Sequence, residues 1–174
     1  MRLERAEMML NSVQIDQAIK SLKKNQVIIL PTDTIYGLSA LATKSNEIKI
    51  NKLKQAKFSK PLIILFSCYQ QIDFLNIFDR SLYELLDSSI PTTVIIEYNQ
   101  QTYALRKVIR EDIKKIVDST GLIYSTSVNI HGQQPLWSEQ DLEQFSDDVK
   151  VYFDEPLYGE PSKIYNSVTK KWVR

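Results

Sequence analysis

The chain has one cysteine, Cys68, and one histidine, His131, among 174 residues. A single cysteine excludes an intrachain disulfide and any zinc site built from several thiolates. A single histidine excludes a His-rich metal cluster and would force a Ser-His-Asp triad through His131 alone. An excess of one charge is lacking as well. The 22 Lys+Arg and 21 Asp+Glu leave a formal net charge of +1, not the basic surplus of a protein that coats nucleic acid. One short RNA contact is compatible with that balance. No run approaches the roughly 18 apolar residues that cross a bilayer. Charges occupy Met1-Arg2-Leu3-Glu4-Arg5-Ala6-Glu7, where a signal peptide would carry its apolar stretch. The expected location is the cytoplasm. Repeats, low-complexity tracts and a Walker A loop are also missing. What is present is a 43% hydrophobic chain of the length of one domain, enough for a real core.

Helical and strand patterns alternate along it. Ser12 can cap a helix with Ile15, Ala18, Ile19 and Leu22 on one face and Asn25 as its stop. The run 26–30 is a short apolar strand. Ser45 can cap a second helix with Ile48 and Leu53 inward, and 61–66 is a second buried strand. The stretch 79–86 reads as helix, 92–98 as a third strand, and 111–119 as helix with Ile113, Ile116 and Val117 inward. The run 122–125 is a fourth strand. Ser138 can cap a helix over Leu142 and Phe145, and 149–153 and 163–168 are late strands. Helices alternating with fully apolar strands predict an α/β fold with a mixed sheet. In such open sheets ligands bind in the crevice beyond the carboxyl ends of strands.

Two polar loops follow strands directly. Pro31-Thr32-Asp33-Thr34-Ile35-Tyr36-Gly37-Leu38 places hydroxyls, a carboxylate, a phenol and a glycine together, a set that can hold a small polar ligand; an ordinary turn with Asp33 or Thr34 as helix cap is the plain alternative. Ser125-Thr126-Ser127-Val128-Asn129-Ile130-His131-Gly132 offers hydroxyls and an amide for phosphate or carboxylate oxygens, although a polar turn would look similar. Two of the four glycines fall in these loops. Lys52, Lys54, Lys57 and Lys60 end a helix and lead into a strand, where a solvated face is the default and phosphate neutralisation the alternative. Arg106 and Arg110, between the third strand and the next helix, read as surface residues. His131 reads as an exposed residue or hydrogen-bond donor.

Taken together, the loop 31–38, Lys54 with Lys60-Pro61-Leu62, Pro91-Thr92-Thr93, Ser125-Thr126-Ser127-Val128-Asn129 and Pro161-Ser162-Lys163-Ile164 with Arg174 occur in the order seen in the YrdC/Sua5 family, and from about Ser12 onward the chain resembles it. That resemblance implies a twisted, mixed open sheet with flanking helices around a concave, positively lined cleft. It implies one YrdC-like catalytic domain over 1–174, the short form of the family. The implied activity is L-threonylcarbamoyladenylate synthesis: L-threonine, bicarbonate and ATP give threonylcarbamoyl-AMP and pyrophosphate for t6A37 modification of tRNA. Partner proteins then transfer the threonylcarbamoyl group. Mg²⁺ is expected to travel with ATP, without a dedicated protein metal site.

The family pattern carries over residue by residue. Thr32, Thr34, Lys60 and Arg106 are the expected threonine contacts, and Lys54 and Arg106 the expected catalytic cations. Lys54, Lys57, Thr93, Ser125, Ser127, Asn129, Ser162 and Arg174 are the expected nucleotide contacts. Two positions depart from the pattern. Ala56 stands where the family's Lys-x-Arg motif has arginine, and neighbouring Lys57 offers a point charge rather than a bidentate fork. His131 stands where serine usually precedes the glycine of the second loop. The rival reading is a non-catalytic RNA-binding or nucleotide-binding relative. A carbamoyl-phosphate enzyme of the same fold would need zinc-finger cysteines that this chain lacks.

Overall fold

The computed structural model describes residues 8–57 and 61–174. Among them, nine strands form one mixed sheet. In chain order these are β1 (Ile28–Leu30), β2 (Gly37–Leu41), β3 (Ile63–Phe66), β4 (Thr92–Tyr98), β5 (Gln101–Lys107), β6 (Ile123–Ser127), β7 (Lys150–Val151), β8 (Lys163–Asn166) and β9 (Lys171–Trp172). Their order across the sheet is β7-β1-β2-β6-β3-β5-β4-β8-β9. The helices are α1 (Ser12–Lys23), α2 (Lys44–Leu53), α3 (Arg80–Leu86), α4 (Glu111–Thr120) and α5 (Glu139–Gln144), with a 3-10 segment over Tyr69–Leu75. The expected α/β class with a mixed open sheet and flanking helices is what forms. No described helix is long and apolar enough to cross a membrane.

The helix starts differ from the sequence reading by one or two residues, for a clear reason. Asn11, not Ser12, caps α1: its side chain accepts from Gln14 N while the Gln14 side chain accepts from Asn11 N, a complete capping box. Thr43, not Ser45, caps α2. Ile48, expected inward, faces outward, 46% exposed, while Ile50 is fully buried. Asn25 does end the first helix, in the left-handed region at φ 59°.

Three strands were not legible as strands. Residues 37–41 pair antiparallel with both β1 and β6, 101–107 pair with β3 and β4, and 171–172 pair antiparallel with β8. Each follows a partner strand so closely that polar turn residues mask the change of direction.

Side chains alternate between the two faces of the sheet. Ile28, Leu30, Leu65 and Ile123 lie on one face and are covered by α1 and α4 through Ala18, Leu22, Ile113, Ile116 and Val117. On the opposite face α2 and α5 cover the β1–β2 end around Leu38, Ala40, Ile50 and Leu142. The 3-10 segment and α3 cover the β3–β5–β4 end around Phe66, Leu82, Leu86 and Val94.

The α1/α4 face changes character along its strands. In β6 the inward series runs Ile123, Ser125, Ser127, and in β2 it runs Leu41, Ser39, Gly37, in matched register. The apolar half lies under helices; the hydroxyl half faces an open cavity. Close packing at this transition requires glycine. A Cβ on Gly37 would stand 2.2 Å from Ser125 Oγ and 3.4 Å from Thr32 Cγ2.

Gly37→Ala should therefore lower stability by roughly 1–3 kcal/mol through overpacking. Adding Ser125→Ala should recover most of that loss, since the clashing atom is then gone. Urea denaturation of the single and double variants measures the coupling; equal losses in both backgrounds would remove the contact as the cause.

Candidate functional site

The cavity has a volume of about 190 Å³ and lies over the polar half of the α1/α4 face. Thr32, Thr34, Arg106, Ser125, Ser127, Asn129, Ser162 and Arg174, eight of the residues expected from sequence, line it together. They come from four chain regions whose sheet neighbours bring them into contact.

The first loop supplies two threonines, both buried. Thr32 Oγ1 donates to the Ile35 carbonyl at 2.6 Å and lies 3.2 Å from Thr34 Oγ1. With the Thr32 proton committed, the Thr34 hydroxyl can donate to Thr32 or to a ligand. Asp33 is not a helix cap, because β2 and not a helix follows. Its carboxylate accepts from the backbone N–H of Ile109 (3.0 Å) and Arg110 (2.7 Å), which clamps the loop to the β5–α4 junction. Asp33 was missed as a site residue because its partners lie more than 70 residues away and leave no local spacing signal.

Arg106 is not a surface residue. It sits within β5, between Leu65 of β3 and Thr93 of β4 in register, and is 3% exposed. Its Nη1 donates to Thr34 Oγ1 at 3.4 Å, and its buried Nε has no partner among the described residues. Burial lowers its pKa to about 10, with Asp33 pulling the other way and Arg174 adding to the fall. The described residues that line the cavity include no Asp or Glu side chain. A buried guanidinium with a spare donor beside several hydroxyls is a receptor for a carboxylate or phosphate.

Arg110 also departs from the surface expectation. Its guanidinium bonds Asp112 through Nε and Nη2 and reaches Asp154 through Nη2. Burial pulls its pKa down, but the two carboxylates outweigh that and leave it raised. Tyr36 donates to Asp154 Oδ1 at 2.9 Å, so α4, the first loop and the segment after β7 share one polar knot.

Lys54 closes the second loop from behind and is 6% exposed. Its ammonium donates to the Ser127 carbonyl, to Ser127 Oγ at 3.2 Å and to Asn129 Oδ1 at 2.5 Å. It holds these two residues and does not itself line the cavity. Thr93 is likewise one layer deeper: fully buried, it bonds Ser162 Oγ at 2.7 Å. Arg174 Nε donates to the Ser162 carbonyl at 2.9 Å.

Lys57 is exposed and outside the cavity lining, and Lys60 lies outside the described residues. Among the described residues, then, the cations on the cavity are Arg106 and Arg174, not a row of lysines. His131 is exposed as expected; its backbone N–H donates to the Lys54 carbonyl at 2.8 Å. Among the described residues no group of three or more His, Cys, Asp or Glu side chains is placed to hold a metal ion.

Burial pulls the Lys54 ammonium from a usual 10.5 down to about 8. Between those values the unfolded chain binds a proton that the folded chain has released, so stability rises with pH across the window. Compared with Lys54→Met, the parent protein should gain stability as pH is raised from 8 towards 10.5. Guanidinium denaturation at both limits measures this, and parallel pH profiles would show that the ammonium is solvated.

The fold recurs in known structures. YciO from E. coli superposes with a TM-score of 0.80 at 17% identity, over 94% of this chain and 89% of that one. Sua5 from P. abyssi complexed with L-threonine superposes with a TM-score of 0.79 at 21% identity over 92% of this chain; the match spans 52% of the Sua5 chain. At these identities the likeness shows the fold. Threonylcarbamoyl-AMP synthase from Buchnera aphidicola subsp. Baizongia pistaciae is 28% identical over 95% of this chain and 99% of its own. The Sua5–YciO–YrdC family model, described as telomere recombination, matches residues 20–174, which takes in every loop that meets at the cavity. On that match, the chain belongs to the Sua5–YciO–YrdC family.

Proposed function

We propose that this protein is an L-threonylcarbamoyladenylate synthase, a nucleotidyl-transferring enzyme that serves t6A37 modification of tRNA in the cytoplasm. The observation that carries this reading is Arg106: a buried guanidinium whose Nε has no partner among the described residues, in a cavity lined by hydroxyls and, among those residues, by no acidic side chain. Relatives matched over more than nine-tenths of both chains bear the name threonylcarbamoyl-AMP synthase, which supports it.

In this reading Arg106 receives the threonine carboxylate, and Thr34, oriented by Thr32, meets the amino acid beside it. Ser125, Ser127, Asn129, Ser162 and Arg174 face the nucleotide. Lys54 acts through Ser127 and Asn129, and Thr93 through Ser162. Lys57 supplies positive charge towards the triphosphate, and Lys60 is the further threonine contact that the family pattern implies. The substrate nucleotide is MgATP, its metal ion carried by the phosphates.

The threonine amine adds to bicarbonate-derived carbon, giving a carbamate with loss of water. A carbamate oxygen then attacks the α-phosphorus. The bond from that phosphorus to the bridging oxygen breaks, and its electron pair leaves with pyrophosphate. No enzyme nucleophile is required. Every reactant except the amine is anionic, so fixed cations and hydroxyl dipoles lower the repulsion of assembling them. Holding the reactants together contributes on the order of 7–11 kcal/mol towards the barrier. The threonylcarbamoyl group passes on to tRNA through partner proteins.

Incubation of the purified protein with ATP, Mg²⁺, labelled bicarbonate and L-threonine should yield a labelled species with the mass of threonylcarbamoyl-AMP and matching pyrophosphate. Absence of product, together with salt-dependent tRNA binding, would move the protein to the RNA-binding reading. Thr34→Val should raise KM for threonine far more than KM for ATP; equal shifts would end that assignment. Lys54→Ala should lower threonine-dependent pyrophosphate release at least about tenfold, in the range expected when a positioning contact is lost, and Ala56→Arg should remain active.

A further inference from the structure

The sheet face covered by α2 and α5 carries a trough of about 690 Å³ that shares no residue with the cavity. Val27, Leu53, Ile130, Phe145 and Val149 give it apolar lining. Charged residues of both signs stand among them. Lys49 and Lys52 come from α2, Lys24 from the turn before β1, and Asp148 from the turn between α5 and β7. We infer that this trough is the contact surface for a second copy of the chain, closed about a two-fold axis, with Lys52 of each copy against Asp148 of the other.

Charge complementarity selects that occupant. Lys24, Lys49, Lys52 and Asp148 are all exposed. None of them joins an ion pair among the described residues. Lys49 does donate to the Asn25 carbonyl at 2.9 Å, which ties it to the turn after α1. The trough therefore presents cations and an anion that the chain itself leaves unmatched. A partner of one sign answers only half of them: a polyanion would meet the lysines and be repelled by Asp148 and its exposed neighbour Asp147. A two-fold axis brings the same patch onto itself, so that each cation meets an anion and each anion a cation.

The outward turn of Ile48 is a second, independent sign. It stands four residues before Lys52, so the two share a side of α2, and it leaves an apolar side chain in water next to the lysines of the trough. Apolar side chains ringed by charges are the anatomy of an interface, and association would take both Ile48 and the trough lining out of water. The trough also backs onto the second loop. Leu53 and Gln55 flank Lys54 in the chain, and Ile130 precedes His131, whose N–H donates to the Lys54 carbonyl at 2.8 Å. A copy seated there packs behind the peptide that aims the Lys54 ammonium at Ser127 and Asn129.

Sedimentation equilibrium of the full chain, from about 1 to 100 μM, should show a monomer–dimer exchange and nothing larger. Lys52→Glu and Asp148→Lys should each weaken the dimer at least about tenfold, because each places like charges opposite one another twice. An equal mixture of the two variants should associate at least about tenfold more tightly than either variant alone, since every facing pair in the mixed dimer is again of opposite sign. Contact through another face would give no such rescue. Hydrogen exchange at the amides of residues 52–55 and 130–131 should be slower in the parent dimer than in monomeric Lys52→Glu. A chain that stays monomeric throughout, a dimer indifferent to both reversals, or a mixture that stays apart would overturn the proposal. So would a monomer whose tRNA binding falls with Lys52→Glu, which would give the trough to nucleic acid. Threonylcarbamoyl-AMP formation enters none of these readouts, so the surface and the synthase reading stand or fall separately.

Discussion

A guanidinium taken out of water needs partners, and Arg106 has few. Among the described residues, Thr34 Oγ1 at 3.4 Å is its one side-chain acceptor, and Nε is left without any. The nearest compensating charge, Asp33, acts through space and spends both carboxylate oxygens on the backbone of Ile109 and Arg110. Leaving a buried donor unpaired is costly. The fold tolerates it because a central strand position holds Arg106 between β3 and β4, with no freedom to turn outward. The site thus carries an unmet buried donor among the described residues.

The surroundings keep that arrangement from relaxing. Asp33 clamps the first loop, Lys54 clamps the second from behind, and the Arg110–Asp112–Asp154 knot fixes the segment that crosses from β7 towards β8. Each clamp joins residues far apart in sequence through charge-assisted hydrogen bonds in partly dry surroundings, where removing one partner strands the other. Lys54 illustrates the difference between touching a ligand and holding what touches it. Its ammonium has three protein acceptors and is turned away from the hollow.

Charge is segregated along the groove among the described residues. Arginines and hydroxyls occupy the half beneath the first loop, and aromatic rings with a single carboxylate occupy the half beside Gly159. Ser162 and Pro161 lie where the halves meet, on the strand-leading turn that also carries Glu160 and Tyr158. One short segment thus contributes to both halves.

The sequence alone determined the α/β class, the buried helix faces of α1 and α4, and the polar loops after β1 and in β6. Those features are written in local periodicity and in side-chain chemistry at consecutive positions. It also carried the family pattern, through which Thr34, Ser127 and Ser162 were picked out. The family pattern also put Arg106 and Arg174 at the site, but tertiary structure decided how each charge is held there. By local spacing Arg106 reads as surface, because a β5 strand of mixed polarity looks like a loop, and Lys54 read as facing ligand because nothing local shows Ser127 and Asn129 waiting behind it. The pairing of Trp137 with Tyr158 was equally invisible, since 20 residues separate them and neither stands in a periodic pattern. Local patterns encode which face of an element is buried; partners for a desolvated charge are chosen across the sheet, by register and by distance, and those exist only once the chain has folded.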